Sequence, residues 1–265
     1  KCGITKKIIP PHLYEDECYD KWGNLVLANG TRLKGDLLYD ESVQKILAQG
    51  NKLHLFTELV KYPRTHHLPW SENITDDDRT IDSLKEFEGK RVIVTEKMDG
   101  ENTTLYRDYI HARSLDGNNH PTRNWVKNFW SQMRYNIPEG WRICGENLYA
   151  VHSIKYENLP TYFMGFSIWN DRNECLSWDE TKEWFALLNI LPVPVLYDYQ
   201  FDEKLVRSIK LDYITSEGYV IRTADSFSYG QFRKKVAKYV RKNHVNTVKH
   251  WMTGQRIEKN EVIDA

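Results

Sequence analysis

The stretch Arg91–Thr104, with the sequence RVIVTEKMDGENTT, decides how the rest of the chain is interpreted. Its first five residues are mostly β-branched and apolar, which is typical of a strand. Asp99–Gly100 is a turn dipeptide, and strand-type residues resume at Asn102. The pattern therefore predicts two strands joined as a hairpin, with Lys97 on the turn.

Two carboxylates, Glu96 and Asp99, flank this lysine in the sequence. One interpretation is a nucleophilic lysine, whose amine must be neutral part of the time; neighbouring cations and burial favour that state. The other is a solvated lysine on a surface hairpin, because so short a motif also occurs by chance. Carboxylates oppose the neutral amine, so a nucleophile here requires a basic motif and a metal to act against them.

The bulk composition excludes few functions. The 265 residues include 37 basic and 37 acidic ones, so any surface that binds nucleic acid must be local. The 9 Trp and 16 Tyr suit a dense core or stacking on bases. Four cysteines without a C-x-x-C pair indicate free thiols in a reducing compartment, and we expect a cytoplasmic location. Neither a membrane-spanning apolar run nor a secretory signal is recognised.

Strands outnumber helices and arrive both as hairpins and separated by helices, which predicts an α+β fold. We expect an N-terminal extension over 1–60 that packs on the main domain over 61–242. A short helix and tail over 243–265, without an OB-fold, would follow. Within the extension, a small hairpin is predicted around Asn29–Gly30, and helical spacing begins at residue 41 and continues to 62.

Further elements are predicted from periodicity and from turn residues. Strands are predicted at 109–114, 141–148, 162–169, 193–197 and 218–222, and helices at 123–135, 178–188 with Ser177 as N-cap, 202–210 and 245–252. The basic segment Phe232–Arg241 is predicted to begin extended.

The proline-marked segment 62–80 is interpreted as a solvated connector, with a structured loop at the edge of a site as the alternative. Arg64, His66 and His67 are weak candidates for phosphate contact. The acidic run Asp76–Asp78 is interpreted as a helix N-terminal cap rather than a metal site.

Five further motifs follow the lysine motif. In chain order they are Arg113 in HARS, Glu146 in CGENLY, Phe166 in YFMGFSIW, Glu217 in EGYVIR, and the basic segment FRKKVAKY at 232–239. Each has a bland alternative, such as a solvated arginine, a strand-end glutamate in water or a core aromatic. All six in one order make a chance match improbable.

These motifs resemble those of the covalent nucleotidyltransferases, which include ATP-dependent RNA ligases, DNA ligases and messenger-RNA capping enzymes. The resemblance spans about residues 91–242 and is greatest to the RNA ligase 2-like branch. It implies an α+β nucleotidyltransferase domain of the ATP-grasp-like ligase adenylation type, in which antiparallel sheets form a nucleotide cleft with flanking helices. Asn102 matches an asparagine of that branch, where DNA ligases and capping enzymes more often carry arginine.

The resemblance also implies a role for each nucleotide-binding motif. Lys97 takes AMP from ATP, and Glu96 reads the adenine edge. Arg113 binds a phosphate or ribose of the nucleic-acid end. Glu146 accepts from the ribose hydroxyl of AMP, and Phe166 stacks on adenine.

The resemblance implies that the remaining two motifs offset the negative charge of the nucleotide phosphates. Glu217 engages Mg²⁺ or Mn²⁺, which neutralises the triphosphate. A K-x-K strand of the family contacts the α-phosphate, and its register here is open. Arg233 and Lys235 fit the spacing with one Arg-for-Lys change; Lys235 is the strongest candidate and Lys238 the next.

The function implied is ATP-dependent joining of 5′-phosphate and 3′-hydroxyl RNA ends in RNA repair, through lysyl-AMP and adenylylated RNA. The implied partners are such RNA ends and an end-healing kinase or phosphatase, and a monomer is expected. The alternatives are an ATP-dependent DNA ligase, a capping-type nucleotidyltransferase, or a non-catalytic RNA-binding relative. The 23 residues after Lys242 are too few for the OB-fold of the first two, and the intact motif residues argue against the third.

Overall fold

The computed structural model describes residues 18–19, 25–26, 32–33, 59–76, 78–113, 120–212, 214–242 and 257–263. The strands in these ranges are β1 (Cys18–Tyr19), β2 (Leu25–Val26), β3 (Arg32–Leu33), β4 (His66–His67), β5 (Arg91–Glu96), β6 (Glu101–Tyr106), β7 (Ile110–Ala112), β8 (Arg142–Asn147), β9 (Phe163–Trp169), β10 (Glu174–Cys175), β11 (Leu191–Pro192), β12 (Val195–Gln200), β13 (Gly218–Thr223), β14 (Phe227–Ser228) and β15 (Val236–Val240). The α-helices are α1 (Asn124–Met133), α2 (Trp178–Leu187), α3 (Glu203–Arg207) and α4 (Phe232–Lys235), and single 3-10 turns lie at Pro121–Arg123, Arg134–Asn136 and Tyr229–Gln231.

Two sheets make up most of the described fold. The larger has seven strands in the order β14-β10-β9-β8-β6-β7, with β11 parallel to β9 as its seventh. The smaller has five in the order β12-β5-β13-β15-β4, and only its β15–β4 pair is parallel. In a separate small sheet, β2 pairs antiparallel with β3, which confirms the hairpin predicted around Asn29–Gly30. The predicted α+β class with antiparallel sheets is confirmed.

The hairpin predicted for the opening stretch is wrong. β5 pairs with β12 and β13, whereas β6 pairs with β7 and β8, so Lys97–Gly100 crosses from one sheet to the other. The four central residues of β5 are buried, as is typical of an interior strand that needs a partner on each side. Gly100 is required by close approach, since a Cβ there would lie 2.5 Å from the Asn147 carbonyl oxygen of β8.

Alternate residues of the strands pack away from the cleft between the sheets. On the larger sheet, Leu105, Ile143 and Phe163 pack against α1 and α2. On the smaller sheet, Val94 and Ile221 pack in a second cluster that includes Val206 of α3. Both sheets therefore have helices on one side and turn their other faces towards each other.

The predicted helices at α1, α2 and α3 are confirmed, and Ser177 caps α2 in a capping box with Glu180. The strand prediction for the start of 232–241 is wrong. Phe232–Lys235 forms the helical turn α4. It continues the helical backbone conformation of the 3-10 turn at Tyr229–Gln231, and Phe232 is buried. The helix predicted at 245–252 and residues 41–58 of the one at 41–62 lie outside the described residues, and 59–62 are not helical.

The segment 62–80 is a structured loop, so its interpretation as a solvated connector is wrong. β4 lies within it and pairs parallel with β15. No helix begins at the acidic run in the described part of this segment, so the predicted cap at Asp76–Asp78 is also wrong. Local sequence could not reveal this, because the loop is ordered by pairing with a strand 171 positions further along the chain, Ala237 opposite His66.

Residues 257–263 are docked on the main fold. Asn260 is fully buried; its Nδ2 donates to the Leu148 carbonyl at 2.8 Å, and its Oδ1 accepts from the Tyr156 amide at 2.8 Å. These bonds attach residues 257–263 to the loop between β8 and β9. Among the helices within the described ranges, none is long and apolar enough to cross a membrane.

Candidate functional site

A cavity of about 690 Å³ opens between the two sheets. Seven of the predicted site residues line it: Glu96, Lys97, Asn102, Arg113, Glu146, Phe166 and Lys238. The fold therefore gathers side chains that lie as much as 142 positions apart in the sequence, from Glu96 to Lys238. Arg233 and Lys235 are not among the lining residues, and Glu217 reaches the site through its bond to Lys97.

Lys97 is fixed by the start of β13. Its backbone amide donates to the Gly218 carbonyl at 3.0 Å, and its Nζ donates to Oε2 of Glu217. Glu217 is 8% exposed, so its carboxylate needs this cation. Both bonds are made to residues at the start of β13. Contacts between the crossover and β13 therefore position the amine of Lys97, and no hairpin between β5 and β6 is needed.

The carboxylates around Lys97 decide its charge. Burial lowers the pKa of Lys97, but Glu217, Glu146 and Asp99 together outweigh burial, and the pKa is raised overall. Burial raises the pKa of Glu146 well above its usual range, against the pull of the Lys97 ammonium. The raised pKa favours the ammonium form of Lys97, and the amine becomes nucleophilic when the negative charge around it is reduced.

Asp99 has a structural task in this site. Its Oδ2 accepts from the amide and hydroxyl of Ser153 at 2.8 and 2.7 Å and from the Ile154 amide at 2.8 Å. Its own amide donates to the Tyr156 hydroxyl at 2.9 Å. Asp99 thereby ties the crossover to the loop after β8, and this oxygen is already satisfied.

The basic motif reaches the cavity through one lysine. On β15, Val236 and Lys238 line the cavity, whereas Ala237 between them is buried in the opposite cluster. Lys235 ends α4 and its Nζ lies 2.7 Å from Oε2 of Glu86, and Arg233 is exposed on the same turn. The two-residue spacing proposed for Arg233 and Lys235 assumes a strand, and this helical turn does not provide it.

Aromatic and amide groups are among the residues that line the cavity. Phe166 of β9 packs edge-on against Tyr62, with ring centroids 5.1 Å apart, and Glu96 of β5 lines the cavity from the other sheet. Burial raises the pKa of Glu96. Oδ1 of Asn102 is buried and has no hydrogen-bond partner within the described ranges. A ligand with a flat ring and hydroxyl or amine donors would satisfy these groups.

Asp78 is a site residue that the sequence analysis missed. Its carboxylate accepts from Arg64 at 3.1 Å and lies 3.8 Å from Nζ of Lys238. Of the three weak candidates in its segment, Arg64 lines the cavity, His67 lies behind Asp78, and His66 does not line the cavity. Only the pairing of β4 with β15 brings these groups to the site, so no local pattern signals Asp78.

The carboxylates near Lys97 fit a cation whose coordination shell is completed by a bound ligand. Within the described residues, no group of three or more His, Cys, Asp or Glu side chains could hold a metal. Glu217 and Glu146 remain beside Lys97, and both offer hard oxygen donors. Mg²⁺ is commonly held by one or two carboxylates, with water and substrate phosphates completing its shell. The residues present fit such a site.

A family model described as RNA ligase matches residues 90–240, more than half of the chain. The chain belongs to the RNA ligase family. The match begins one residue before β5 and ends with β15, so the RNA ligase region contains the crossover, the cavity-lining strands and Lys238. The resemblance drawn from the order of the motifs is confirmed.

Solved structures give remote likenesses to this RNA ligase family member. A Naegleria gruberi RNA ligase variant with ATP and manganese is 19% identical over 69% of this chain and 60% of that chain, at a TM-score of 0.43. A provisionally named ATP-dependent DNA ligase from Aquifex aeolicus is 19% identical over 89% and 60%, at 0.49. An archaeal ATP-dependent RNA ligase is 17% identical over 85% and 58%, at 0.49.

The chain spans about three fifths of the length of these three structures. A search of curated protein sequences finds no significant match.

Proposed function

We propose that this RNA ligase family member is an ATP-dependent RNA ligase, which joins a 5′-phosphate end and a 3′-hydroxyl end of RNA. The observation that carries the proposal is Lys97, held by Glu217 in a cavity that Glu96, Phe166 and Lys238 also line. The proposed setting is RNA repair by a monomer, after a kinase or phosphatase has prepared the ends. The main domain proposed for this activity is 61–242, with 1–60 as an extension and 243–265 as a tail.

In the first step, Nζ of Lys97 attacks the α-phosphorus of ATP. A P–N bond forms, the bond from that phosphorus to the bridging oxygen breaks, and pyrophosphate leaves. The ammonium of Lys97 first loses one proton, so that the neutral amine can attack, and the nitrogen loses a second proton as the P–N bond forms. Both protons pass to water, since Glu217 would be engaged by the cation. The Lys238 ammonium stabilises the negative charge that develops on the α-phosphate.

Two further steps complete the ligation. The 5′-phosphate of RNA attacks lysyl-AMP, the P–N bond breaks, and Lys97 regains its amine. The 3′-hydroxyl then attacks the adenylylated end, and AMP leaves. Arg113 and Arg64 line the cavity, and their planar guanidinium groups suit bidentate phosphate contact.

The nucleotide base would bind between Phe166 and Glu96, with the ring stacked on Phe166 and its edge read by Glu96. Glu146 would accept from the ribose hydroxyl, and Asn102 would use its unpartnered oxygen for a ligand donor.

Glu217, with Glu146 near it, would hold Mg²⁺ or Mn²⁺ together with the nucleotide phosphates. When bound, the cation neutralises the triphosphate. A cation held there would also offset the carboxylate charge that raises the pKa of Lys97.

The test is incubation with ATP labelled at the α-phosphate and with magnesium, followed by denaturing electrophoresis. We expect label on the wild-type protein and none on Lys97→Ala. Lys210→Ala, at an exposed lysine outside the cavity, is the matched control and should label normally. No label on the wild type, or label on Lys97→Ala, would refute the proposal.

The substrate class is tested with the same protein. We expect sealing of RNA ends, and label from ATP but not from GTP. Label from GTP would indicate a capping-type enzyme. Sealing of nicked DNA with RNA ignored would indicate a DNA ligase.

A further inference from the structure

We infer that Asp78 is a positioning residue of this site, which holds the ammonium of Lys238 in the cavity where the α-phosphate of ATP would bind. The inference rests on the proposed function, and it adds to the site a residue from the loop 62–80, outside every motif of the sequence. Its basis is the geometry of one carboxylate, one ammonium, and the loop and strand that carry them.

The distance between the two groups suits a positioning role. Nζ of Lys238 lies 3.8 Å from Oδ1 of Asp78, and their side chains are 18% and 14% exposed. This is an ion-pair distance and too long for a hydrogen bond, so the pair fixes the ammonium without using its donors. Those donors are what a phosphate would need.

Lys238 needs such an anion. Burial lowers its pKa, and the cations Lys97 and Arg113 lower it further, while Asp78 and Glu217 act in the opposite direction. Asp78 forms an ion pair with Lys238, while Glu217 is hydrogen-bonded to Lys97. A half-buried lysine that lost this anion would turn towards solvent or lose its proton.

Asp78 is itself held firmly. Its Oδ2 accepts from the amide of Thr75 at 3.2 Å and from the hydroxyl of Thr75 at 2.8 Å, and Arg64 donates to its Oδ1 at 3.1 Å. Nε2 of His67 lies 3.4 Å from Oδ2. These contacts on several sides leave the carboxylate little freedom to move.

The loop that carries Asp78 is attached to the strand that carries Lys238. The Leu68 amide donates to the Lys238 carbonyl at 2.7 Å, and the Val240 amide donates to the Ser71 hydroxyl at 2.9 Å. The ring of His67 contacts this hydroxyl at 2.7 Å. Carboxylate and ammonium therefore belong to one hydrogen-bonded unit, and their separation is set by backbone pairing.

The experiment is a double-mutant cycle on the rate of lysyl-AMP formation, with Asp78→Asn, Lys238→Ala and both together. Asparagine keeps the shape of the side chain and an acceptor oxygen while it removes the charge. We expect Asp78→Asn to lower kcat about tenfold, with KM for ATP changed less than about threefold. Tm should fall by only a few degrees, because the amide NH2 replaces one of the two accepting oxygens. The double variant should be no slower than Lys238→Ala, because the effect of Asp78 passes through Lys238.

Two controls keep the inference falsifiable. Asp76→Asn removes a charge from an exposed position in the same loop and should label at the wild-type rate. Thr75→Val removes the hydroxyl that donates to Asp78 and keeps the carboxylate, so it should lower kcat by less than the loss expected for Asp78→Asn. This variant serves as the test if Asp78→Asn does not fold. Wild-type kcat in Asp78→Asn, or losses that add to those of Lys238→Ala, would overturn the inference and leave the proposed function standing. A wild type that forms no lysyl-AMP would overturn both.

Discussion

At the scale of single residues, Lys238 and Lys235 differ in their position relative to the cavity, although they are close in the sequence. Lys238 lines the cavity, while Lys235 lies three residues earlier on a helical turn and is paired with Glu86. A charge acts on a phosphate only over a short distance in this partly solvated site. We therefore propose Lys238, and not Lys235, as the lysine of the basic segment that contacts the phosphate.

We predict that Lys238→Ala slows lysyl-AMP formation by a factor on the order of 100, comparable to the loss of one donor to a transition-state oxyanion. Lys235→Ala should stay within a few-fold of wild type, since its charge is neutralised by Glu86. Single-turnover labelling with saturating ATP measures both. Equal losses in the two variants would contradict this assignment.

A second prediction concerns His67, whose side chain is 1% exposed. Burial, then the charge of Lys238, lowers the pKa of His67 from its usual 6.5 to about 4, although Asp78 acts in the opposite direction. Between these two values the unfolded chain binds a proton that the folded protein excludes. Stability should therefore fall as the pH drops from 6.5 to 4, by an amount on the order of 3 kcal/mol.

Urea unfolding at several pH values tests this. His67→Gln should flatten the fall across that window. His66→Gln, at a partly exposed neighbour, should keep most of it. An identical pH dependence in His67→Gln and wild type would show that this ring does not carry the effect.

At the scale of elements, the loop between β8 and β9 is held from two directions. Asp99 accepts three hydrogen bonds from Ser153 and Ile154, and Asn260 of the C-terminal segment bonds to the backbone at Leu148 and Tyr156. The loop, the crossover and the C-terminal segment therefore form one unit beside Lys97.

We predict that Asn260→Ala destabilises the protein by about 3 kcal/mol, because it leaves buried backbone groups without partners. Lysyl-AMP formation should fall as well, since the loop that anchors Asp99 loosens. Ile263→Ala, at an exposed position of the same segment, is the matched control and should change stability by less than about 0.5 kcal/mol. Unfolding in urea with a parallel labelling assay measures both; unchanged stability in Asn260→Ala would show that the segment is only loosely attached.

At the scale of the whole molecule, the cavity lies between two sheets that are joined by the crossover at Lys97–Gly100. A nucleotide in this cavity would contact β5, β13 and β15 on one side and β6, β8 and β9 on the other. Binding should therefore stabilise both sheets together.

We predict that ATP at about 100 times its Kd raises the free energy of unfolding of Lys97→Ala by about 2.7 kcal/mol, since this variant binds without reacting. The gain should be smaller in the Lys97→Ala/Lys238→Ala double variant, which lacks the phosphate contact. Thermal unfolding with ATP and magnesium measures both, and AMP alone is the control for the contribution of the base and ribose. A Tm that is independent of ATP would place nucleotide binding elsewhere.

The sequence by itself determined the α+β class, the family and the helix cap at Ser177, because these depend on local periodicity and on motif order. The sequence also indicated Lys97, because Glu96, next to it in the chain, lines the same cavity.

Only the tertiary structure decided how the strands pair, which lysine of the basic segment lines the cavity, and where Asp78 and Asn260 lie. The crossover after β5 was mistaken for a hairpin because Asp99–Gly100 has the residues of a turn, while the glycine is needed for close approach to β8. The physical reason is shared: strand pairing and burial are set by contacts between distant segments, and no local pattern specifies which segments meet.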